Sequence, residues 1–429
     1  MPSPRAIDPI ASLRERNYLV FLLGSLASNV GNQMRITAVN WEVWHRTGAN
    51  EPLSLGKIGL VLALPVIFLA LPAGAAADRF PRRSIIMLGQ LGLAASGLGL
   101  AWASYSQAPI LWTYLFLLGT GVFRALGWPA ATAIVAELVP PRVFPNAAMW
   151  RSAGFQLAAT LGPLLGGLLL ARYDATTVYL CDAASSMFQV FALLGVHPAP
   201  KQRVAEPSSW RSVVEGVRFL GRRPVILSTM VLDMVAVLFG GATALLPIYA
   251  TEILFVDEVG YGWMRAMPSI GAILMSLFLA TRPPFRRAGP ALLAAVVAFG
   301  LATIVFGLSK SFPLSLAALF TLGAADNISV VIRSTVLQLM TPDGMRGRVS
   351  AVSIIFIGTS NEIGEFESGA VAQGLQPFFS PPLNTVITCA GGGVLTLATV
   401  AWVARRWPAL VRLGSLEELE PAEPVEALV

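Results

Sequence analysis

Charge and reactive side chains are what this sequence has little of. Of its 429 residues, 13% are Asp, Glu, Lys or Arg and 55% are apolar, and the mean hydropathy is +0.68. Soluble chains do not have this balance; polytopic membrane proteins do. A large soluble domain is excluded, because spanning helices of about 20 residues each use up nearly the whole length. The two cysteines, Cys181 and Cys389, both fall in apolar runs, which suggests neither a disulfide framework nor a metal cluster. His45 and His197 lie at span ends, far apart in sequence, and read as surface residues rather than ligands. No G-x-x-x-x-G-K-S/T pattern is present, which removes ATP hydrolysis as an energy source. No enzyme, cofactor or metal is therefore expected. The net charge of +6 is a topology signal in such a chain and does not point to nucleic acid.

What is there is a series of apolar runs. The hydropathy predicts helices over 17–45, 56–77, 83–105, 109–138, 144–171 and 175–196. A second set follows over 224–252, 259–281, 289–309, 312–339, 347–374 and 382–404. The predicted fold is an all-α polytopic membrane protein. Its parts are an N-terminal six-helix bundle (1–196), a linker (197–223), a C-terminal six-helix bundle (224–404) and a tail (405–429). Basic residues concentrate in alternate loops, as at Arg282, Arg286 and Arg287, and at Arg346 and Arg348. This places both termini in the cytoplasm. The N-terminus, with Arg5, Arg14 and Arg16 and no small-residue cleavage site, is expected to be an uncleaved cytoplasmic tail. In the linker, Trp210, Val213, Val214, Val217 and Leu220 recur at helical spacing among arginines, which predicts an amphipathic helix on the inner leaflet. The acidic, Pro-containing 405–429 reads as disordered.

The most distinctive polar stretch is Gly74-Ala75-Ala76-Ala77-Asp78-Arg79-Phe80-Pro81-Arg82-Arg83, predicted as a tight loop between the second and third spans. Gly74 would let two helices approach closely. Asp78 is placed to accept N–H groups from a helix N-terminus. Arg79, Arg82 and Arg83 mark the cytoplasmic side. Gly74, Asp78, Arg79, Arg82 and Arg83 resemble the loop motif G-x-x-x-D-R-x-G-R-K/R of the major facilitator superfamily, with Pro81 where the family has Gly. The resemblance implies a charge cluster that forms in one conformation and breaks in another. The alternative is a fixed topological anchor. Ala280-Thr281-Arg282-Pro283-Pro284-Phe285-Arg286-Arg287 echoes this stretch in the second half, without the Asp. Glu137-Leu138-Val139-Pro140 is echoed by Gln338-Leu339-Met340-Thr341-Pro342. Two parallel six-helix halves with a midplane site are the architecture the resemblance implies.

In the fifth span, Gly162, Pro163, Gly166 and Gly167 resemble the G-P-x-x-G-G core of the superfamily's antiporter motif, which implies export; tight helix packing would use the same residues. Ala38-Val39-Asn40-Trp41-Glu42-Val43-Trp44, Leu245-Leu246-Pro247 and Ser360-Asn361-Glu362-Ile363-Gly364-Glu365 are similar to the enterobactin-exporter-like branch, also called transmembrane secretion effectors.

Polar residues inside spans are candidates for function, because each is expensive there unless it faces water or a partner. Ser25, Ser28, Asn29, Asn32, Arg35 and Glu42 form a stripe on the first span, expected to line an aqueous cavity, with Arg35 and Glu42 in one network. Arg124 and Trp128 on the fourth span and Arg333 on the tenth join them as cavity candidates. Helix–helix hydrogen bonding, or neutralisation of Arg333 by Asp326 seven residues away, would use the same side chains. An apolar wall favours the protonated form of a carboxylate, so acids there can carry protons. The candidates are Asp233, then Glu362 and Glu365, then Asp326; Glu367 points elsewhere. Together these features predict a monomeric secondary exporter of an amphipathic, siderophore-like or drug-like molecule in a bacterial inner membrane. Its partners would be the small-molecule substrate, protons and membrane lipid. An importer or uniporter, a lipid flippase and a non-transporting receptor or scaffold remain the alternatives.

Overall fold

The computed structural model describes residues 8–48, 51–198, 210–240 and 242–416. Among them every regular element is helical. The first half comprises α1 (Arg16–Thr47), α2 (Pro52–Arg79), α3 (Arg82–Tyr105), α4 (Ile110–Ala133), α5 (Phe144–Arg172) and α6 (Ala175–Leu194). A linker helix, Trp210–Gly221, leads to α7 (Pro224–Phe239), α8 (Glu258–Ala280), α9 (Ala288–Leu308), α10 (Phe312–Leu339), α11 (Asp343–Leu375) and α12 (Leu383–Arg406). Among the described residues, ten helices are long and apolar enough to cross a membrane. The long helices α1 and α11 fall outside that set; they carry Arg35 and Glu42, and Glu362, Glu365 and Glu367.

The chain forms two compact units, one of Met1–Val39 and Leu64–Ser208, the other of Asn40–Ala63 and Ser209–Val429. The end of α1 and the start of α2 therefore go with the second unit, whereas the sequence places them in the first bundle. Within the first unit α3 packs on α4 and α6; within the second, α9 packs on α10 and α12. The same relation thus recurs six helices later, as expected from the repeat. Tyr18, Phe21, Ile86, Ile134 and Leu138 belong to the core of the first unit, and Ile226, Leu232, Leu292, Ile332 and Val336 to that of the second.

Three expectations change. The stretch Gly74–Arg83 is mostly helix: α2 runs through Arg79, and only Phe80 and Pro81 separate it from α3. Its alanines are strong helix formers, and Pro81 stands at the N-cap of α3. The predicted helix 224–252 is broken. Regular α-helix ends at Phe239 and is followed by short helical turns through Leu246-Pro247-Ile248 to Ile253. Gly240 at the break fits against the Phe299 ring of α9, and Pro247 cannot donate a helical N–H. The start of the tail is folded: Pro408–Val411 is helical, and Ala288 and Gly289 donate backbone hydrogen bonds to Gly414 and Leu413. Residues 417–429, and linker residues 199–209 with Lys201 and Arg203, lie outside those described. The linker helix buries Phe219 and Leu220 against the second unit and packs on α11, leaving Val214 and Val217 exposed. The single apolar face predicted for it is thus divided.

Candidate functional site

Each unit pairs one arginine inside its helices with an acid on a neighbouring helix. In the first, Arg35 of α1 donates to Asp182 of α6 at 2.7 Å, and both side chains are almost fully buried, 2% and 1% exposed. Its second terminal nitrogen donates to Asn32, one turn back along α1. The expected Arg35–Glu42 network is replaced by two separate pairs, because an arginine on a helix leans toward the N-terminus, away from Glu42. Glu42 instead pairs with Arg46 at 3.4 Å. The rest of the α1 stripe is also largely committed to neighbouring helices. Ser28 donates to Gln90 of α3 at 2.9 Å, and Ser25 accepts from Gln189 of α6 at 3.0 Å. Asn29 is half-buried. Gly97 leaves room on α3 for Asp182; a Cβ there would lie 3.1 Å from its carboxylate oxygen.

The glycines of α5 face α1. A Cβ at Gly162 would run into Gln33, and one at Gly166 would lie 3.2 Å from the Met34 Cα. Pro163 and Gly167 are buried beside them in one continuous helix. Arg124 and Trp128 on α4 diverge: Arg124 is half-buried, whereas Trp128 is 48% exposed and meets the Phe155 ring of α5 edge-on.

The residues of the α2–α3 motif attach to the ends of α4 and α6. Arg82 pairs with Glu137 at 2.9 Å and donates to the Ala133 carbonyl at 2.8 Å. Arg83 donates to the Leu194 carbonyl at 3.0 Å, where a cation complements a helix C-terminus. Gly74 and Asp78 are half-buried and Arg79 is exposed.

In the second unit, Asp233 of α7 forms an ion pair with Arg333 of α10. The alternative of neutralisation by Asp326 is not the pairing found: both acids line one small pocket with Ser329, and the acid on the neighbouring helix takes the guanidinium. The pocket's other walls are apolar, from Ala236, Val237, Val296, Phe299 and Ala325. Glu362 and Glu365 do not line this pocket, and Glu365 lies on the face of α11 that meets α2. A Cβ at Gly59 would approach the Glu362 carbonyl and lie 2.9 Å from the Glu365 Cβ. Nearby, α2 and α11 cross at Gly56 and Gly369, whose backbones touch. Trp41 stacks on Tyr261 of α8 with ring centres 5.1 Å apart, and Trp44 donates to the Thr251 hydroxyl at 2.9 Å.

Two functional candidates escape the sequence reading. Asp182 was legible as an acid within an apolar run, and only its neighbour Cys181 was singled out. Arg265 on α8 likewise sits in a span; its Nε and one terminal nitrogen are buried with no hydrogen-bond partner among the described residues.

The helical architecture is that of a multi-pass membrane protein, and the comparisons with known proteins identify a transmembrane transporter of the major facilitator type. More narrowly, the chain belongs to the transmembrane secretion effector family, whose model matches residues 7–410. It is 26% identical over 376 residues to the multidrug efflux pump Tap of Mycolicibacterium fortuitum, covering 83% of this chain and 89% of that one. It is 26% identical over 353 residues to the enterobactin exporter EntS of Shigella boydii, covering 81% and 83%. Among solved structures, an inward-facing, occupied bacterial homologue of the human lysosomal transporter Spinster matches with a TM-score of 0.70 at 17% identity, covering 95% and 98% of the two chains. A POT family transporter bound to 5-aminolevulinic acid matches with a TM-score of 0.70 at 12% identity, covering 92% and 96%. Likenesses at that identity concern the fold alone.

Proposed function

We propose that this protein is a twelve-span exporter of an amphipathic small molecule, siderophore-like or drug-like, driven by proton antiport across a bacterial inner membrane. It works as a monomer among membrane lipids, with both termini in the cytoplasm, and alternates access through two six-helix bundles joined by the linker. Relatives that export enterobactin or drugs support the direction and the substrate class. The observation that carries the coupling is the apolar-walled pocket lined by Asp233 and Asp326, with Arg333 ion-paired to Asp233. Two acids and one arginine there do not balance, and the imbalance suits a mobile cation. Asp233, Asp326, Glu362 and Glu365 are the acids through which the proton acts. Asn29, Asn32, Glu42, Arg124 and Trp128 are the side chains we assign to the substrate path, together with Arg35 and Arg333 as charges that shape it. Gly74, Asp78, Arg79, Arg82 and Arg83 serve the inner gate, and Gly162, Pro163, Gly166 and Gly167 the bend that favours export.

Reconstitution in liposomes tests this. With ethidium or a catecholate siderophore as probe, an imposed pH gradient should drive the probe uphill, and collapsing the gradient should stop it. Equal uphill movement without a proton gradient, or movement only down the probe's own gradient, would refute proton antiport.

A further inference from the structure

Among the described residues, the charges inside the second unit do not cancel around α7 and α10. Arg333 is ion-paired with Asp233. Asp326 lines the same pocket and has neither a hydrogen bond nor an ion pair with any described residue. The nearby walls are Ala236, Val296, Phe299 and Ala325, which offer no counter-charge. The neighbouring helices supply none to this pocket either. No charged residue occurs within α9, and α12 has none before Arg405. On α11, Glu365 lies against Gly59 of α2, and neither it nor Glu362 or Glu367 lines the pocket. On α8 the titratable groups are Glu258, Tyr261 and Arg265, and none of them lines the pocket. Two ionised carboxylates sharing one guanidinium would leave a net negative charge in an apolar wall, at a cost of about several kcal/mol for the uncompensated ion. A carboxyl group in that position takes up a cation.

We infer that Asp326 is the group that holds the proton, and that Arg333 is a counter-ion shared between Asp326 and Asp233. The inference rests on the proton-coupled reading above and locates the proton within it. With Arg333 on Asp233, Asp326 is the neutral acid. Loss of its proton leaves a carboxylate seven residues before Arg333 on the same helix face, on the side toward which an arginine leans. The guanidinium is then divided between two acids, and the α7–α10 pair loosens. Proton release is thereby converted into a change in the contact between two helices of one unit. Asp233 acts here through Arg333 and is a positioning residue.

The test needs no transported substrate. Dicyclohexylcarbodiimide, which reacts with protonated carboxyl groups in apolar surroundings, is applied to the purified full-length protein in detergent, and adducts are mapped by peptide mass spectrometry. Labelling is expected at Asp326 several-fold above Asp233, and it should decline as the pH is raised. Asp233→Asn frees Arg333 for Asp326 and should lower labelling of Asp326 several-fold; Asp233→Glu should restore it. Equal labelling of the two acids in the unmodified protein, or labelling of Asp326 unchanged by Asp233→Asn, overturns the inference. The comparison within the unmodified protein holds even where a variant fails to fold. The liposome assay separates the two readings. If a pH gradient drives efflux and Asp326→Asn still sustains it, this assignment falls and proton antiport stands. If the gradient drives nothing while the labelling pattern holds, antiport falls and the protonation site stands.

Discussion

Removing Asp182 should unfold the first unit more readily than removing any other single side chain in it. Arg35 is 2% exposed and its strongest partner is the Asp182 carboxylate, 2.7 Å away. Asp182→Ala leaves a guanidinium sealed between α1 and α6 with only Asn32 to accept from it. Breaking a buried pair from one side costs about 3–5 kcal/mol, chiefly the penalty of the charge left behind. Removing both charges avoids that penalty, and a well-packed apolar replacement of a buried pair is neutral or stabilising by about 1–4 kcal/mol. Arg35→Met with Asp182→Leu should therefore recover most of the loss. The assay is thermal unfolding in detergent at a fixed scan rate, because unfolding of a membrane protein is read as a rate-dependent midpoint. Asp182→Ala should show a clearly lower midpoint and the double variant one close to the original. Transport by the double variant adds a second reading. If Arg35 only holds α1 to α6, efflux survives; if it meets the substrate, a stable protein loses efflux. A midpoint unchanged by Asp182→Ala, or a double variant as unstable as the single one, would refute the reasoning.

Gly369→Ala places a Cβ 2.8 Å from the Gly56 Cα and 3.0 Å from the Pro52 carbonyl, and backbone cannot rotate away. It should cost about 1–3 kcal/mol of overpacking and lower transport at equal expression, measured by unfolding midpoint and efflux rate. Glu137→Gln removes the charge that holds Arg82 and leaves it the Ala133 carbonyl, a loss of about 1–2 kcal/mol seen in the same unfolding scan. Thr251→Val keeps the shape of the side chain but strands the buried Trp44 indole N–H, costing about 1–3 kcal/mol. An unchanged midpoint in any of these would show that the contact carries no stability.

Helix existence was legible because a bilayer demands long apolar runs, and the structure's helices fall where those runs are. The α2 boundary was not, since Gly74–Arg79 reads as a polar loop from its charges but as helix from its alanines. Same-face spacing put Asp326 and Arg333 on one side of α10, where Asp326 lines the pocket and Arg333 reaches Asp233, which lines it too. It could not tell which acid the arginine would take, because that depends on the rotation of α7, which no periodicity in α10 reports. The failed Arg35–Glu42 pairing has the same origin. Periodicity gives the face of a helix, while the direction of the side chain and the neighbour opposite decide the bond. The glycines of α5 were found by motif; that their contact is α1 emerged only from the packing.

The two buried ion pairs favour the second unit for the proposed proton coupling. The charges of Arg35 and Asp182 cancel, and Arg35 donates a further hydrogen bond to Asn32. A closed pair of that kind resists change, because separating it in an apolar interior leaves both charges uncompensated. Around Asp233, Asp326 and Arg333 the count is odd, so each arrangement of the arginine leaves one carboxylate to be neutralised by something mobile. With the proton bound, Asp326 is neutral and Arg333 sits on Asp233; with it released, Arg333 is divided between the two acids. Two states that differ by one bound proton are what a proton gradient can bias. Neutralising Asp326 is therefore expected to abolish gradient-driven efflux in a protein that remains folded, measured in the liposome assay.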